Sequence, residues 1–351
     1  MARAEFRSGP SQARAIGRRV FKSFDNFLPL HLYFLKDETL IPQIAENAPK
    51  IMSLFNRFFV GVLQRFPRAL VKPVAMRYIA GETLGDAIRV VRGLNAKKMM
   101  TTVDVLGEDV SRREEAGEAT RAAETVLDSI HQEQLNSGLS VKLTQLGIRV
   151  DPRLAYENLK RIVQLARSLD SFVRLDMEDS SLTSLTLKLY RKLRGEGFEN
   201  VGVVIQAYLR RSEEDLKDLI RTRTNVRVVK GIYNEPEAVA FQGRGEIQKN
   251  YLRLLGLLLQ GGSYAGIATH DDFLVEKAYQ FIRELNLSPD ACEFQMLYGV
   301  RPGLRDEIVA RGHRMRIYVP FGKQWHAYSL RRFQENPQIA RYVLKSIFFP
   351  R

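Results

Sequence analysis

Residues 139–176 read LSVKLTQLGIRVDPRLAYENLKRIVQLARSLDSFVRLD, and this stretch combines two predicted strands with the helix between them. The short apolar and β-branched runs Leu139–Leu143 and Phe172–Asp176 predict buried strands. Between them, Pro152–Ser168 has the pattern of a helix. Because two strands joined through a helix usually run parallel, the stretch predicts one βαβ unit.

The same alternation continues on both sides of this unit. Eight strand-then-helix units over roughly 250 residues predict an α/β chain with a TIM-like (β/α)8 barrel. A doubly wound sheet is the alternative, but it needs a Gly-rich turn after the first strand, which Val105–Asp109 does not supply. The predicted strands are Met99–Val105, Leu139–Leu143, Phe172–Asp176, Val201–Ala207, Val226–Lys230, Tyr264–Ala268, Glu293–Leu297 and Met315–Val319. The predicted helices between them are Arg112–Gln134, Pro152–Ser168, Ser181–Leu193, Glu213–Arg221, Pro236–Leu259, Leu274–Leu285 and Leu304–Arg311.

The first 80 residues show no convincing strand, so we expect an N-terminal helical region over 1–80 and the barrel over 81–351. Within this region, apolar residues recur at helical spacing along Ile51–Leu70, with Arg57, Gln64 and Arg65 between them. That pattern predicts an amphipathic helix. Such a helix either packs on its own protein or binds a membrane surface, and the first alternative is the more common one.

The composition of the 351-residue chain is that of a globular protein, with 45% hydrophobic and 27% charged residues. A single cysteine, Cys292, excludes a disulfide framework and favours a reducing compartment. No apolar run is long enough to span a membrane, and the Arg-rich N-terminus lacks the apolar part of a secretory signal, so we expect a cytoplasmic protein. The net charge of +14 comes from scattered basic residues without a nucleic-acid-binding motif. It therefore favours peripheral contact with an anionic membrane over nucleic acid.

The segment Arg316–Asn336, RIYVPFGKQWHAYSLRRFQEN, contains an unusual pair of arginines. A β-branched and aromatic run stops at Pro320-Phe321-Gly322, and a predicted helix follows. On that helix Tyr328, Arg331 and Arg332 share one face. Guanidiniums beside tyrosines fit a small anion with an apolar body, since arginine binds a carboxylate bidentately. The alternative is a solvated arginine pair on a surface helix.

Polar residues stand at the ends of the other predicted strands, where the chemistry of such barrels gathers. Buried charges need partners or a ligand, so this ring predicts either salt bridges or a ligand site. Cations outnumber carboxylates in it, which favours an anionic ligand such as a pyrophosphate together with a carboxylate. His270 has no second histidine at metal-ligand spacing, so we expect no metal site. The ring includes Lys142, Asp176, Gln206, Arg227, Lys230, Thr269, His270, Gln295, Leu297 and Tyr318.

Seven motifs in this order resemble those of the proline dehydrogenase family, most closely its monofunctional bacterial type. The resemblance extends from about residue 78 to the end of the chain. Seven ordered motifs on seven predicted strands are specific, whereas each one alone is weak. The motifs are SVKLTQLG (140–147), VRLDMEDSS (173–181), VIQAYLRR (204–211), VRVVKGIYNEPE (226–237), IATHDD (267–272), EFQMLYGVRP (293–302) and YVPFG with WHAYSLRRFQEN (318–336).

The resemblance implies a flavoprotein that binds FAD non-covalently on a distorted (β/α)8 barrel. It implies oxidation of L-proline to Δ1-pyrroline-5-carboxylate by hydride transfer to flavin N5, with electrons passed to membrane quinone. The chain is too short for the second domain of bifunctional relatives, so we expect a separate pyrroline-5-carboxylate dehydrogenase downstream. Tyr318 implies a preference for unsubstituted proline over 4-hydroxyproline, because its ring crowds the substrate edge.

The resemblance also assigns roles to individual residues. The residues implied for catalysis are Lys142, Asp176, Arg227, Tyr318, Tyr328, Arg331 and Arg332. Those implied for substrate binding are Lys142, Arg331 and Arg332 at the carboxylate, and Tyr233, Leu297, Tyr318 and Tyr328 around the ring. Those implied for FAD binding are Gln206, Arg227, Val229, Lys230, Gly231, Thr269, His270 and Glu335.

The chain departs from relatives of this family at three positions. Asn234 replaces a tryptophan of bifunctional relatives, Ile232 replaces the usual alanine, and Asp271 replaces an asparagine.

Two other functions compete with proline oxidation. Lys142 or Lys230 could instead form the Schiff base of a lysine-dependent aldolase. A non-catalytic basic barrel that binds a membrane or a partner is the other alternative. The aldolase alternative explains neither the arginine pair nor the tyrosines.

Overall fold

The structure, a computed structural model, describes residues 72, 73, 75–107 and 109–329. The predicted amphipathic helix Ile51–Leu70, most of the predicted region 1–80, and Arg331, Arg332 and Glu335 lie outside the described residues. The predicted boundary between residues 80 and 81 therefore stays a prediction.

Eight parallel strands form a closed barrel, in which each strand pairs with the next one along the chain. The last strand pairs with the first, from Met100 opposite Arg316 to Val105 opposite Phe321. This topology confirms the predicted TIM-like (β/α)8 barrel and excludes the doubly wound sheet. The strands are β1 (Met100–Val105), β2 (Ser137–Val141), β3 (Val173–Leu175), β4 (Val201–Gln206), β5 (Val226–Val229), β6 (Ala265–Ala268), β7 (Cys292–Leu297) and β8 (Met315–Phe321).

Among the described residues, the helix Leu84–Asn95 precedes β1, and a helix follows each strand from β1 to β7. Residues 325–329, just after β8, are also helical. No described helix is long and apolar enough to cross a membrane. The helices are α1 (Leu84–Asn95), α2 (Arg113–Gln132), α3 (Pro152–Ser168), α4 (Ser180–Gly195), α5 (Ser212–Arg221), α6 (Arg244–Gln260), α7 (Asp272–Glu284) and α8 (Pro302–Ala310).

Helix α1 was not among the predicted helices, although its start has a clear sequence signal. The Thr83 hydroxyl accepts a hydrogen bond from the Asp86 amide at 3.2 Å, and the Asp86 carboxylate accepts from the Thr83 amide at 3.1 Å. This reciprocal cap satisfies amides that have no partner inside the helix. Val91 and Leu94 then bury the apolar face of α1.

The prediction of a helix from Pro236 to Leu259 was wrong at its N-terminal end, because α6 begins at Arg244. The residues before it form a loop that runs along the end of β4. Leu209 and Ala240 form an antiparallel bridge, and the Phe241 amide donates to the Tyr208 carbonyl at 2.8 Å. These tertiary hydrogen bonds replace those that a helix over 236–243 would make.

The hydrophobic core lies between the strands and the surrounding helices, where residues such as Val103, Leu139 and Leu159 are fully buried. The inside of the barrel is different. Polar and charged side chains contact one another there, although Val, Ile and Leu usually dominate that space. They are Asp104, Ser140, Lys142, Asp176, Arg227, Glu293, Gln295, Arg316 and Tyr318.

Candidate active site

Asp176 is the centre of a charged cluster at the carboxyl ends of the strands, which we call the barrel mouth. It follows β3, and its buried carboxylate accepts from Arg227 Nη1 and from the Ser140 hydroxyl, each at 2.8 Å. The Tyr318 hydroxyl donates to its other oxygen at 2.8 Å. Burial alone would raise the pKa of Asp176, but Arg227 and Lys142 together lower it. The carboxylate is therefore ionised at neutral pH, and it holds three flanking side chains in place.

Lys142 lies on the other side of this cluster, one residue past β2. Its ammonium is 2.5 Å from Asp104 Oδ1 and 3.7 Å from Asp176 Oδ2, and it donates to Tyr318 Oη at 3.3 Å. Burial would lower the pKa of Lys142, but the two carboxylates raise it above its ordinary value. Lys142 is therefore a protonated lysine with two anionic neighbours.

Arg227 and Tyr318 approach each other from β5 and β8. The Arg227 guanidinium lies 5.3 Å from the centre of the Tyr318 ring, and its Nε donates to Gln295 Oε1 at 2.6 Å. Burial raises the pKa of Tyr318 well above its ordinary value, and both Asp104 and Asp176 add to the effect. The hydroxyl thus stays protonated and available as a donor.

Gln206 belongs to a second polar cluster at the end of β4. Its Nε2 donates to the Glu178 carbonyl at 2.9 Å. The Glu178 carboxylate in turn accepts from the amide of Thr144 at 3.1 Å and from the hydroxyl of the same residue. Burial raises the pKa of Glu178. The cluster connects the ends of β2, β3 and β4 next to the Asp176 cluster.

The loop after β5 carries Lys230, Gly231 and Tyr233. The Lys230 carbonyl accepts from the Tyr208 amide at 2.8 Å, whereas the Lys230 side chain is exposed. Gly231 has a φ of +105°, and a Cβ built there would lie 2.1 Å from the Tyr208 ring. Only glycine fits that conformation and that space. The ring of Tyr233 is 37% exposed, so the loop presents an aromatic surface that the described residues leave open to solvent.

The ends of β6 and β7 are joined through Thr269, His270 and Leu297. The buried Thr269 hydroxyl accepts from the Asp271 amide at 3.1 Å. His270 Nε2 accepts from the Leu297 amide at 2.9 Å, so this ring nitrogen carries no proton. Leu297 and Val229 are half-buried at the mouth.

Tyr328 lies in the helical residues 325–329 after β8, with 6% of its surface exposed. Its charge adds to the causes that raise the pKa of Tyr318, after burial, Asp104 and Asp176. Arg331, Arg332 and Glu335 follow in the sequence but lie outside the described residues.

Comparison with known proteins then identifies the family. The model for the family described as "Proline dehydrogenase" matches residues 87–344. This chain belongs to the proline dehydrogenase family. Proline dehydrogenase 1 of Bacillus subtilis is 40% identical over 273 residues, which are 78% of this chain and 90% of that protein. The proline dehydrogenase of Deinococcus radiodurans is 35% identical over 289 residues, which are 81% of this chain and 93% of that protein.

A solved structure supports the fold of this proline dehydrogenase family member. Proline utilization A from Bdellovibrio bacteriovorus, inactivated by N-propargylglycine, matches over 96% of this chain with a TM-score of 0.74. The sequence identity is 24%, and this chain spans 41% of that protein's length. The likeness therefore shows the barrel fold and no more.

Sequence reasoning missed two residues that the structure places in the charged clusters. Asp104 pairs with Lys142, and Glu178 joins Thr144 to Gln206 through its side chain and its carbonyl. Asp104 had a signal, because a carboxylate inside the apolar run Met99–Val105 needs a buried partner. Nothing in the spacing of the sequence identifies Lys142 as that partner, since β1 and β2 are joined by a whole helix.

Proposed function

We propose that this family member oxidises L-proline to Δ1-pyrroline-5-carboxylate, with non-covalently bound FAD, and passes the electrons to a membrane quinone. The observation that carries the proposal is the convergence of Lys142, Asp176, Arg227 and Tyr318 at the barrel mouth, all connected through hydrogen bonds. Relatives named as proline dehydrogenases, 35–40% identical to this chain, support the same reaction.

The residues at the mouth fit FAD in charge and in shape. The family is generally flavin-dependent. A buried guanidinium (Arg227) on β5 and an exposed ammonium (Lys230) just after this strand suit an anionic dinucleotide. Gly231 leaves the backbone after β5 without a side chain, because a Cβ there would collide with the ring of Tyr208. The residues that would hold the cofactor are Gln206, Arg227, Val229, Lys230, Gly231, Thr269, His270 and, outside the described residues, Glu335.

In this reaction, a hydride leaves the ring carbon next to the proline nitrogen, a proton leaves the nitrogen, and a C=N bond forms. Bound FAD supplies the two-electron acceptor. The protein must hold the ring in one orientation while this happens. Tyr318 is suited to that task, because Asp176 and Lys142 fix the position of its hydroxyl at the end of the ring.

Binding of the substrate carboxylate is proposed to rest on Arg331 and Arg332, with the protonated Lys142 adding positive charge. Tyr233, Leu297, Tyr318 and Tyr328 would enclose the apolar ring. Arg227 would stabilise negative charge that develops on the cofactor side during the transfer. Asp176 would keep Lys142, Arg227 and Tyr318 in a constant arrangement through its three contacts.

The two alternative functions are less well supported. A Schiff-base lysine must lose its proton before it attacks a carbonyl, so a lowered pKa is expected of it. The pKa of Lys142 is raised, because Asp104 and Asp176 stabilise the ammonium. A non-catalytic barrel gives no reason for burying several charges around one opening, since each needs a partner to offset its desolvation.

The test is spectroscopic. The purified chain, reconstituted with FAD if necessary, should be yellow, and anaerobic L-proline should bleach the visible absorption of the flavin. D-proline and L-alanine serve as matched controls and should leave the colour unchanged. A protein that binds no FAD, or whose bound flavin ignores proline, would overturn the proposal. Reduction of a soluble quinone analogue by the bleached protein tests the acceptor separately.

A further inference from the structure

Gln295 occupies a position deep inside the barrel, on the inner face of β7, and contacts Arg227 directly. Its side-chain carbonyl accepts from Arg227 Nε at 2.6 Å. Its amide nitrogen donates to Glu293 Oε1, also at 2.6 Å. Gln295 is 5% exposed and Glu293 is 1% exposed, so neither hydrogen bond competes with bulk water.

Glu293 determines which way the amide of Gln295 points. A carboxylate only accepts hydrogen bonds, so the NH2 group of Gln295 must face it and the carbonyl must face Arg227. Burial alone would raise the pKa of Glu293, but Arg316 lowers it through an ion pair at 2.6 Å. The Tyr264 hydroxyl donates to the other oxygen of Glu293 at 2.7 Å. Glu293 is therefore ionised, and the orientation of Gln295 is fixed.

These contacts hold the Arg227 guanidinium at two points. Gln295 accepts from Nε, and Asp176 accepts from Nη1 at 2.8 Å. Two hydrogen bonds at different nitrogens fix both the position and the plane of a guanidinium, because the group is flat and rigid. Removing Gln295 would leave Asp176 as the single hydrogen-bond acceptor for Arg227 among the described residues.

The neighbouring strand leaves space for this arrangement. Gly266 on β6 lies beside Gln295, and a Cβ built there would come 2.6 Å from Gln295 Nε2 and 3.4 Å from Arg227 Cα. The φ of Gly266 is not among the positive values in this chain, so the backbone does not require glycine there. Glycine is required at position 266 because a larger residue would collide with the side chain of Gln295.

We infer that Gln295 is a positioning residue, which fixes the plane in which Arg227 faces the cofactor and thereby tunes hydride acceptance. The inference rests on the proposed function. Gln295 need not touch substrate or cofactor for this role, because it acts through Arg227. Glu293 and Arg316 extend the same hydrogen-bonded series and keep the amide of Gln295 oriented.

The central variant is Gln295→Met, which keeps the approximate volume and removes both hydrogen bonds. We expect the limiting rate of flavin reduction by proline to fall about tenfold, the loss of one hydrogen bond to a charged group. The midpoint potential of the bound flavin should become more negative, while the Km for proline changes less than about twofold. Tyr190→Phe is the matched control, because it removes a buried hydrogen bond to Thr224 at 3.0 Å on the outer side of the barrel. It should change neither the rate nor the potential.

A double variant distinguishes action through Arg227 from a separate effect. If Gln295 works through Arg227, then Gln295→Met should add little to the loss caused by Arg227→Met. Additive losses, or an unchanged potential in Gln295→Met, would overturn the inference. Should Gln295→Met fail to fold, Gly266→Ala tests the same contact by crowding the amide, and it should lower the rate and the potential in the same direction. Bleaching of the wild-type flavin by proline is measured first, since its failure would remove the proposed function itself, and the inference with it.

Discussion

Asp104 limits how much positive charge Lys142 presents at the barrel mouth. The carboxylate is 1% exposed and lies 2.5 Å from the ammonium, and burial raises its pKa. Lys142 keeps its proton because two carboxylates surround it. The pair therefore behaves as one unit, in which either charge alone would be poorly solvated.

We predict that Asp104→Asn lowers the free energy of unfolding by about 1–3 kcal/mol, because a partly buried ammonium loses its nearest counter-ion. Lys142→Met should destabilise the protein by a similar amount. The double variant should be more stable than the sum of the two losses implies. Urea denaturation of the four proteins measures this coupling. Strictly additive losses would show that the two charges do not depend on each other.

Glu178 should make stability depend on pH. Burial raises its pKa above the ordinary value of 4.5, so the folded protein favours the protonated carboxyl. This contribution to stability is fully present below the ordinary pKa and is lost as the pH rises through the raised one. Glu178→Gln keeps an acceptor for the Thr144 amide and carries no charge.

We therefore predict that Glu178→Gln gains stability relative to wild type as the pH rises from about 4 to about 8. Denaturant unfolding at several pH values measures the difference. The exposed Glu157→Gln is the control and should follow the wild-type profile. A difference for Glu178→Gln that stays constant with pH would contradict the assignment of a raised pKa.

Among the elements, the loop after β5 depends on a single backbone conformation. Gly231 combines a φ of +105° with the Tyr208 ring at the place where a Cβ would lie. Gly197 has a φ of +84°, but a Cβ added there would meet nothing within 4 Å. Comparing alanine substitutions at the two glycines therefore separates the cost of backbone strain from the cost of a steric collision.

We predict that Gly197→Ala lowers the free energy of unfolding by about 1 kcal/mol, the strain of a non-glycine residue at positive φ. Gly231→Ala should lose more stability than that, and it should also weaken FAD binding about tenfold, because the loop must move away from Tyr208. Thermal unfolding and fluorescence titration with FAD measure the two effects. Equal losses of stability and of FAD affinity in the two variants would show that the Tyr208 ring moves aside at no cost.

The strands and helices also show how much of the fold the amino-acid sequence predicts. All eight strands were predicted in order, because a strand buried on both faces is a short apolar run that local composition reveals. The segment from Pro236 was predicted as helix, since its residues suit one, but the bridge between Leu209 and Ala240 overrides that preference. Lys142, Asp176, Arg227 and Tyr318 were predicted for the site and lie together in it. Gln295 was also named in the predicted ring, but its contact with Arg227 and the pairing of Asp104 with Lys142 depend on strand register, which composition does not encode.

For the whole molecule, the excess of 54 basic over 40 acidic residues bears on how electrons would reach a membrane quinone. The predicted amphipathic segment Ile51–Leu70 lies outside the described residues, so membrane docking stays a prediction. Basic amphipathic helices bind anionic lipid through apolar burial and charge together.

We predict that the full chain sediments with vesicles containing anionic phosphatidylserine at low salt and is released as the ionic strength rises. Substitution of Arg57, Arg65 and Arg68 by Gln should weaken the binding, while bleaching of the flavin by proline stays unchanged. Vesicles of neutral phosphatidylcholine are the control. Equal binding to both kinds of vesicle would exclude an electrostatic contribution, and no binding to either would exclude docking.

The pairing of β1 with β8 has a consequence for how the chain is made. Met100 and Arg316 are neighbours in the sheet, yet more than half of the chain separates them. A ribosome that has released β1 must still synthesise every later strand before the ring can close. Until then, β1 and the newest strand each expose an unpaired edge, which is a template for association with other nascent chains. Late closure therefore leaves two strand edges open to such association until β8 has been synthesised and paired with β1.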